Sequence, residues 1–215
     1  MTNTRNAKEL TLADVQRIFG FQMQLHGSFT HLLNLEPLTE FEQQELSQIV
    51  EDYRNYFLES KVGEGLVKAL TTFPLLRLAG FYRSPIKIGL EENIAQIQIE
   101  DEDTNITGRL DILAVNKSIQ TATDVNFWLL VIESKNSSVA PSAGVPQLLT
   151  YAYQSLGHQG SVWGLTTNGD LYQFLYIQSG NPPTYLLMPL LNLWEIDRTP
   201  QILQVLKAIC KLQSQ

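Results

Sequence analysis

Two hydrophobic periods divide the chain. Up to about Gly80, apolar residues recur at three- and four-residue intervals; beyond it they alternate or form short unbroken runs. Thr11 to Phe19 reads as a short amphipathic helix ended by Gly20, and a polar stretch then leads to Pro37. Thr39 and Glu42 have capping-box spacing, in which hydroxyl and carboxylate satisfy orphan amides of a first turn. Phe41, Leu46, Ile49, Val50, Tyr53 and Phe57 follow at helical spacing, which predicts one long helix to about Ser60. A second helix is expected from near Val62 through Leu66, Leu70 and Phe73, broken or kinked at Pro74. Past Gly80, Ile86–Ile88 and Ile94–Ile99 read as a strand pair around Glu91-Glu92-Asn93. Leu110–Val115 is a further strand, and the continuous apolar run Phe127–Ile132 has the pattern of a central strand covered on both faces. Pro141 to Gly157 reads as a helix with Pro146 in its first turn and Gly157 as its cap. Ser161–Thr167 and Leu171–Ile177 flank Asn168-Gly169, a hairpin signal. A closing helix is expected from about Leu191 to Gln213. The pattern therefore predicts an α/β fold: N-terminal helices, a mixed sheet with one crossover helix, and a final helix.

Composition narrows the class. With 215 residues, 44% hydrophobic and 17% charged, the chain is of globular type and long enough to bury a core without staples. One cysteine, Cys210, leaves no internal disulfide and fits a reducing compartment. The sequence starts without the apolar stretch of a signal peptide, and no apolar run approaches the roughly 20 residues that span a bilayer. A cytoplasmic protein without membrane contact is the expectation. The net charge of −7 counts against a polyanionic partner until its distribution is read. Residues 61–90 are basic, with Lys61, Lys68, Arg77, Arg83 and Lys87 against Glu64 alone. The acidic excess lies in residues 1–60 and 91–111. Solvated helix and loop faces explain such runs as well as a basic contact surface beside an acidic pocket does.

Three charged residues stand where a buried sheet should not tolerate them. Asp111 falls in the strand Leu110–Val115, and Glu133 and Lys135 follow the run Phe127–Ile132. Side chains two apart share a strand face, so Glu133 and Lys135 project together while Ser134 points away. Buried charges cost several kcal/mol, to order of magnitude, unless paired or bound to metal. With Asp111 on a neighbouring strand, two carboxylates and an ammonium converge, and a divalent cation relieves the repulsion between the carboxylates. Hard oxygen ligands favour Mg²⁺ or Mn²⁺ over zinc. A simple strand-end salt bridge is the plainer reading of Glu133 and Lys135. His26 and His31 have no nearby acid or cysteine to make a zinc site, and Cys210 lies on an apolar helix face.

The order Glu64, Asp111, Glu133-Ser134-Lys135, Gln147 resembles the PD-(D/E)xK nuclease superfamily, with its restriction-endonuclease-like fold. Within it the chain is most similar to the N-terminal nuclease domain of type I restriction enzyme R subunits and related stand-alone bacterial proteins. The segments that carry the resemblance are Gly108-Arg109-Leu110-Asp111, Val131-Ile132-Glu133-Ser134-Lys135-Asn136, Pro146-Gln147 with Tyr151 and Tyr153, and Leu165 to Gly169. Leu110 stands where the nominal motif has proline. The resemblance covers roughly residues 60–180, so it implies a helical N-terminal extension over 1–60 and a nuclease domain with a C-terminal helix over 61–215.

The resemblance implies roles residue by residue. Asp111 and Glu133 would bind Mg²⁺ or Mn²⁺ with the backbone carbonyl of Ser134, and Lys135 would orient or activate the attacking water. Gln147 would contact the catalytic centre or DNA, and Tyr151, one turn further along the same helix face, would support it. Glu64 would match the family's helical glutamate, with Glu59 a competing candidate. The implied activity is metal-dependent hydrolysis of DNA phosphodiesters in restriction or defence, with a homodimer or a restriction-system partner as further expectations. A nuclease-like fold serving only to bind nucleic acid or protein is the alternative that the acidic balance suggests.

Overall fold

Thr11 and Thr39 each close a capping box, with Asp14 and Glu42 respectively, and so start the helices α1 (Leu12–Phe19) and α3 (Glu40–Glu59). Gly20, left-handed at φ 73°, stops α1. These helices belong to a computed structural model that describes residues 3–25, 27–93, 97–99, 104–120 and 126–212. His26, the acidic run 100–103 and the stretch beyond Leu212 lie outside the described residues. The N-terminal sixty residues also contain the one-turn helix α2 (Phe29–Leu32) and two short strands, β1 (Asn3–Asn6) and β2 (Gln22–Gln24), which the hydrophobic pattern did not signal.

Pro74 does not break the second helix. The chain stays helical through α4 (Glu64–Val67), a π-helical segment (Lys68–Thr72) and α5 (Phe73–Ala79), and Gly80 at φ 101° ends it. A proline ring collides with the carbonyl four residues back in an α-helix. The wider π turn directly ahead of Pro74 accommodates that ring.

The remaining elements are β3 (Ile86–Leu90), β4 (Ile97–Ile99), β5 (Thr104–Thr107), β6 (Ile112–Gln120), β7 (Asn126–Ser134), α6 (Val145–Ser155), β8 (Ser161–Thr167), β9 (Leu171–Gln178), β10 (Thr184–Leu187), β11 (Leu191–Asn192) and α7 (Thr199–Cys210). A mixed sheet runs β2-β10-β9-β8-β7-β6-β3, with β11 also on β9, and a small sheet runs β1-β5-β4. β3 and β4 are not a hairpin. β3 pairs antiparallel with β6, from Ile86 opposite Asn116 to Leu90 opposite Ile112, and β4 pairs with β5. The Glu91 amide on the Asp111 carbonyl (3.1 Å) and the Leu110 amide on the Glu92 carbonyl (2.9 Å) carry the β3–β6 pairing past the strand end. β6 needs that partner because Ile112 and Ala114 are wholly buried. The closing helix starts at Thr199 rather than Leu191; Pro200 fixes its first turn. α6 ends at Ser155 with Leu156 as its cap, and Gly157 takes no left-handed conformation.

β7 is the axis of the sheet, antiparallel to β6 and, through the crossover helix α6, parallel to β8. One sheet face carries Ile112, Ile132 and Leu165 against the core of α3, α5 and α7. The other carries Leu113, Val131 and Val162 against α1 and α6. This is the expected architecture, a central mixed sheet flanked by helices.

The Asn168-Gly169 hairpin is clamped from the helical side. Buried Tyr53 of α3 donates to the Asn168 carbonyl at 3.1 Å, and its ring stacks on Trp194 with centroids 5.7 Å apart. Gly169 has φ 101°, and a Cβ there would run into the Tyr53 ring and hydroxyl. Gly169→Ala is therefore expected to cost more than about 2 kcal/mol, combining left-handed strain with the clash. Tyr53→Phe should cost only about 1 kcal/mol, the net value of one hydrogen bond. Urea unfolding checks both, and equal costs would contradict this account of the clamp.

Candidate active site

The β6–β7 register decides which side chains meet. Ile112 faces Ile132, so Asp111 and Glu133 are the next positions on the paired strands, both at the end where β7 emerges from the core. Their side chains share the sheet face that bears Leu113 and Val131, the face on which α6 lies. Gln147 and Tyr151 are one helical turn apart on α6 and are both buried.

The resulting contacts form two chains. Asp111 Oδ2 accepts the Ser134 amide at 2.8 Å, tying the carboxylate to β7, while Oδ1 lies 3.4 Å from Lys68 Nζ. Lys68 Nζ also donates to Glu64 Oε1 at 3.0 Å. On the other side, Lys135 Nζ donates to Glu133 Oε1 at 2.6 Å and to Gln147 Oε1 at 3.1 Å, and Gln147 Nε2 donates to the Tyr151 hydroxyl at 2.7 Å. Glu133 is 1% exposed, and its second oxygen, Oε2, is buried without a hydrogen-bond partner. Burial, reinforced by the nearby negative charge of Asp111 and opposed by Lys135, pushes the Glu133 carboxyl up to about 7. Burial and the charge of Glu133 also raise the Tyr151 hydroxyl, which therefore stays neutral. Burial disfavours the Lys68 ammonium, but Glu64 and Asp111 outweigh it and hold its pKa above the ordinary value.

Loop anchoring brings Glu64 into reach. The Ser137 amide donates to the Val62 carbonyl (3.0 Å), and the Val62 amide donates to Ser137 Oγ (3.0 Å). These bonds fasten the start of α4 to the loop leaving β7. Glu64 thereby comes within reach of Asp111 through Lys68, whereas Glu59 is exposed at the end of α3. Two glycines make room. A Cβ on Gly144 would lie 3.1 Å from Glu133 Cγ and 3.5 Å from Lys135 Cε, and one on Gly108 would lie 2.9 Å from the Tyr151 ring.

All the sequence-derived positions thus gather in one place: Asp111, Glu133, Ser134, Lys135, Gln147 and Tyr151 directly, and Glu64 through Lys68. Sequence reasoning assigned no place in the site to Lys68 or Gly144, and none to Gly108 and Thr166 beyond the segments that carry the resemblance; Thr166 faces Glu133 from β8, and its buried hydroxyl also has no partner. For Lys68 a signal was present, four residues after Glu64 on a helix. Among the described residues, no group of three or more His, Cys, Asp or Glu side chains is placed to hold a metal ion. The hard oxygen donors that meet here are fewer: the carboxylates of Asp111 and Glu133, the latter with an orphaned buried oxygen, while Ser134 turns its amide to Asp111. Mg²⁺ takes one or two protein carboxylates and completes its shell with water, so hard oxygen donors in this number suit it.

No family model matches the chain, and no curated protein matches it. Among solved structures it is similar to a fragment assigned as an HsdR subunit of a type I restriction enzyme from Vibrio vulnificus YJ016, with 18% identity and a TM-score of 0.41. The match covers 67% of this chain and 26% of that one, so the chain spans about a quarter of that structure's length. No helix among the described residues is long and apolar enough to cross a membrane.

The raised Glu133 pKa fixes the sign of a stability effect. Its folded value, about 7, lies above the ordinary 4.5, so between the two the native state holds a proton that the unfolded chain has released. The contribution is full below 4.5 and lost as pH rises through 7. Relative to Glu133→Gln, the wild type should lose up to about 3 kcal/mol of unfolding free energy between pH 4.5 and 8. Urea titrations in chelator at several pH values check this; parallel profiles for the two proteins would contradict it.

Proposed function

We propose that this chain is a divalent-metal-dependent endonuclease of the PD-(D/E)xK kind that hydrolyses DNA phosphodiester bonds. The observation that carries the proposal is Glu133: a carboxylate with an orphaned oxygen, beside Asp111 and hydrogen-bonded to a lysine on the same strand face. An apolar pair would serve a merely structural strand end better, because buried charges are net costs unless they bind something.

Asp111, Glu133 and the Ser134 carbonyl are the groups that would hold Mg²⁺ or Mn²⁺. Bound there, such an ion supplies Lewis acidity that lowers the pKa of water and offsets charge on the leaving oxygen. Lys135 supplies a positive hydrogen-bond donor for the attacking water and for the charge that builds on the phosphoryl oxygens. Gln147 presents its carbonyl to that ammonium and so fixes its direction, and Tyr151, neutral and buried, holds the Gln147 amide. Glu133 Oε1 accepts from the Lys135 ammonium at 2.6 Å and so helps to hold it in place. Water adds to phosphorus, the ester P–O bond breaks, and the departing alkoxide takes up a proton.

Exposed Lys61, Arg77, Arg83 and Lys87 offer positive charge to a nucleic acid despite the acidic total. A cytoplasmic setting, a role in restriction or defence, and a homodimer that cuts both strands belong to the same proposal.

The test compares wild type, Asp111→Ala and Lys135→Ala on plasmid, linear and single-stranded DNA and on RNA, with Mg²⁺ and with Mn²⁺. Wild type should cleave DNA only with metal, and each variant should lose at least about 100-fold in rate, the usual scale for removing one such group. Absence of cleavage of every substrate by wild type overturns the proposal. Wild-type behaviour of Lys135→Ala in the biological assay, with a stable partner in pull-down, would identify a binding module instead.

A further inference from the structure

Lys68 lies between two of the three carboxylates that approach the site. Its Nζ is 3.0 Å from Glu64 Oε1 and 3.4 Å from Asp111 Oδ1, and its side chain is 14% exposed. It reaches this position because Glu64 opens α4 and Lys68, four residues on, begins the π-helical turn, while the Val62–Ser137 bonds hold the helix start against the β7 loop. The two lysines of the site divide its carboxylates: Lys135 takes Glu133 Oε1, and Lys68 takes Asp111 Oδ1 and Glu64. One oxygen, Glu133 Oε2, is left buried with no partner of either kind. The arrangement therefore has one uncompensated position for a cation, at Glu133, and a second, bridging Glu64 and Asp111, that already holds a positive charge.

We propose that Lys68 is a built-in cation: it fills the place where a second divalent ion would bridge Glu64 and Asp111, and so restricts the site to a single divalent ion. The proposal rests on the metal-site reading above and adds the number of ions and the residue that sets it. Paired divalent ions in nucleases lie about 3.5–4 Å apart, a separation that one carboxylate with two oxygens can span. Asp111, with one oxygen toward the Ser134 amide and the other toward Lys68, is the carboxylate available for such sharing. An ammonium on Oδ1 gives part of the same charge relief without a second ion, and it stays when metal is scarce. In this role Lys68 is a positioning residue, acting through Asp111 and Glu64.

The test counts bound Mn²⁺ on the full chain by calorimetry and by paramagnetic resonance, which separates isolated ions from coupled pairs. Wild type and Lys68→Arg should bind one ion with an uncoupled signal. Lys68→Met should bind two, with the signal of a coupled pair, and Glu64→Gln added to Lys68→Met should return the count to one. Melting curves with and without Mn²⁺ show whether each variant folds; Lys68→Met should melt lower than wild type without the ion and recover with it. Two ions on the wild type, one on Lys68→Met with unchanged affinity, or none on either protein would overturn the proposal. DNA cleavage by the same samples reads the nuclease proposal separately: two ions on Lys68→Met without cleavage by wild type would uphold this inference and sink that one, and cleavage with an unchanged ion count would do the reverse.

Discussion

A carboxylate buried at the end of the central strand is the constraint around which the site is arranged. Glu133 is nearly inaccessible, and in that position its charge can be sustained only by partners supplied from the surrounding elements. Lys135, two residues on, gives one of them from the same strand face. Asp111, across the β6–β7 register, makes the demand greater rather than less, because its own charge raises the cost of ionising Glu133. The fold answers with the Lys135 ammonium and the Ser134 amide from β7 and the Lys68 ammonium from the α4 region, while Gln147 of α6 accepts from Lys135 and holds it in place. One carboxylate oxygen, Glu133 Oε2, is left buried without a partner, and the functional reading grows from that remainder.

The packing around these groups gives the site its geometry. α6 is the crossover between two parallel strands, so it must lie across the sheet face on which Glu133 projects. Gly144 and Gly108 allow helix and loop to approach the site closely enough for the Lys135–Gln147–Tyr151 chain to form. On the far side, the Asn168-Gly169 turn is fixed by Tyr53, and Asn168 Nδ2 reaches the Ser137 carbonyl at 3.5 Å. The N-terminal helix α3 thereby supports the loop that in turn fixes the start of α4. Residues 1–60 accordingly contribute to the setting of the site as well as to the edges of both sheets, through β1 and β2.

Much of this was legible in sequence for definite reasons. The unbroken run Phe127–Ile132 has the pattern of a strand covered on both faces, which made the charges that follow it anomalous. Thr39 with Glu42, and Asn168 with Gly169, are local devices whose geometry depends on few neighbours, and both formed as expected. What escaped were non-local choices. β3 pairs with β6 rather than folding back on β4, because the partner is chosen by the burial demand of β6 and not by the intervening turn. Pro74 failed to end its helix because a π turn, invisible to a 3.6-residue period, precedes it. Lys68 looked like one cation in a basic stretch; its role depends on two hydrogen bonds between Val62 and Ser137, 75 residues apart.

These features converge on one statement: burial and the charge of Asp111 suppress the ionisation of Glu133, and under the proposed function a divalent cation would restore it. The most direct measurement is a carbon-13 NMR titration of the Glu133 side-chain carboxyl, with and without saturating Mg²⁺. The expected result is a midpoint near 7 in chelator, moving below about 5 with Mg²⁺, because an opposite charge within contact distance favours the ionised form. A midpoint near 4.5 in chelator, or one that Mg²⁺ leaves unmoved, would contradict the account.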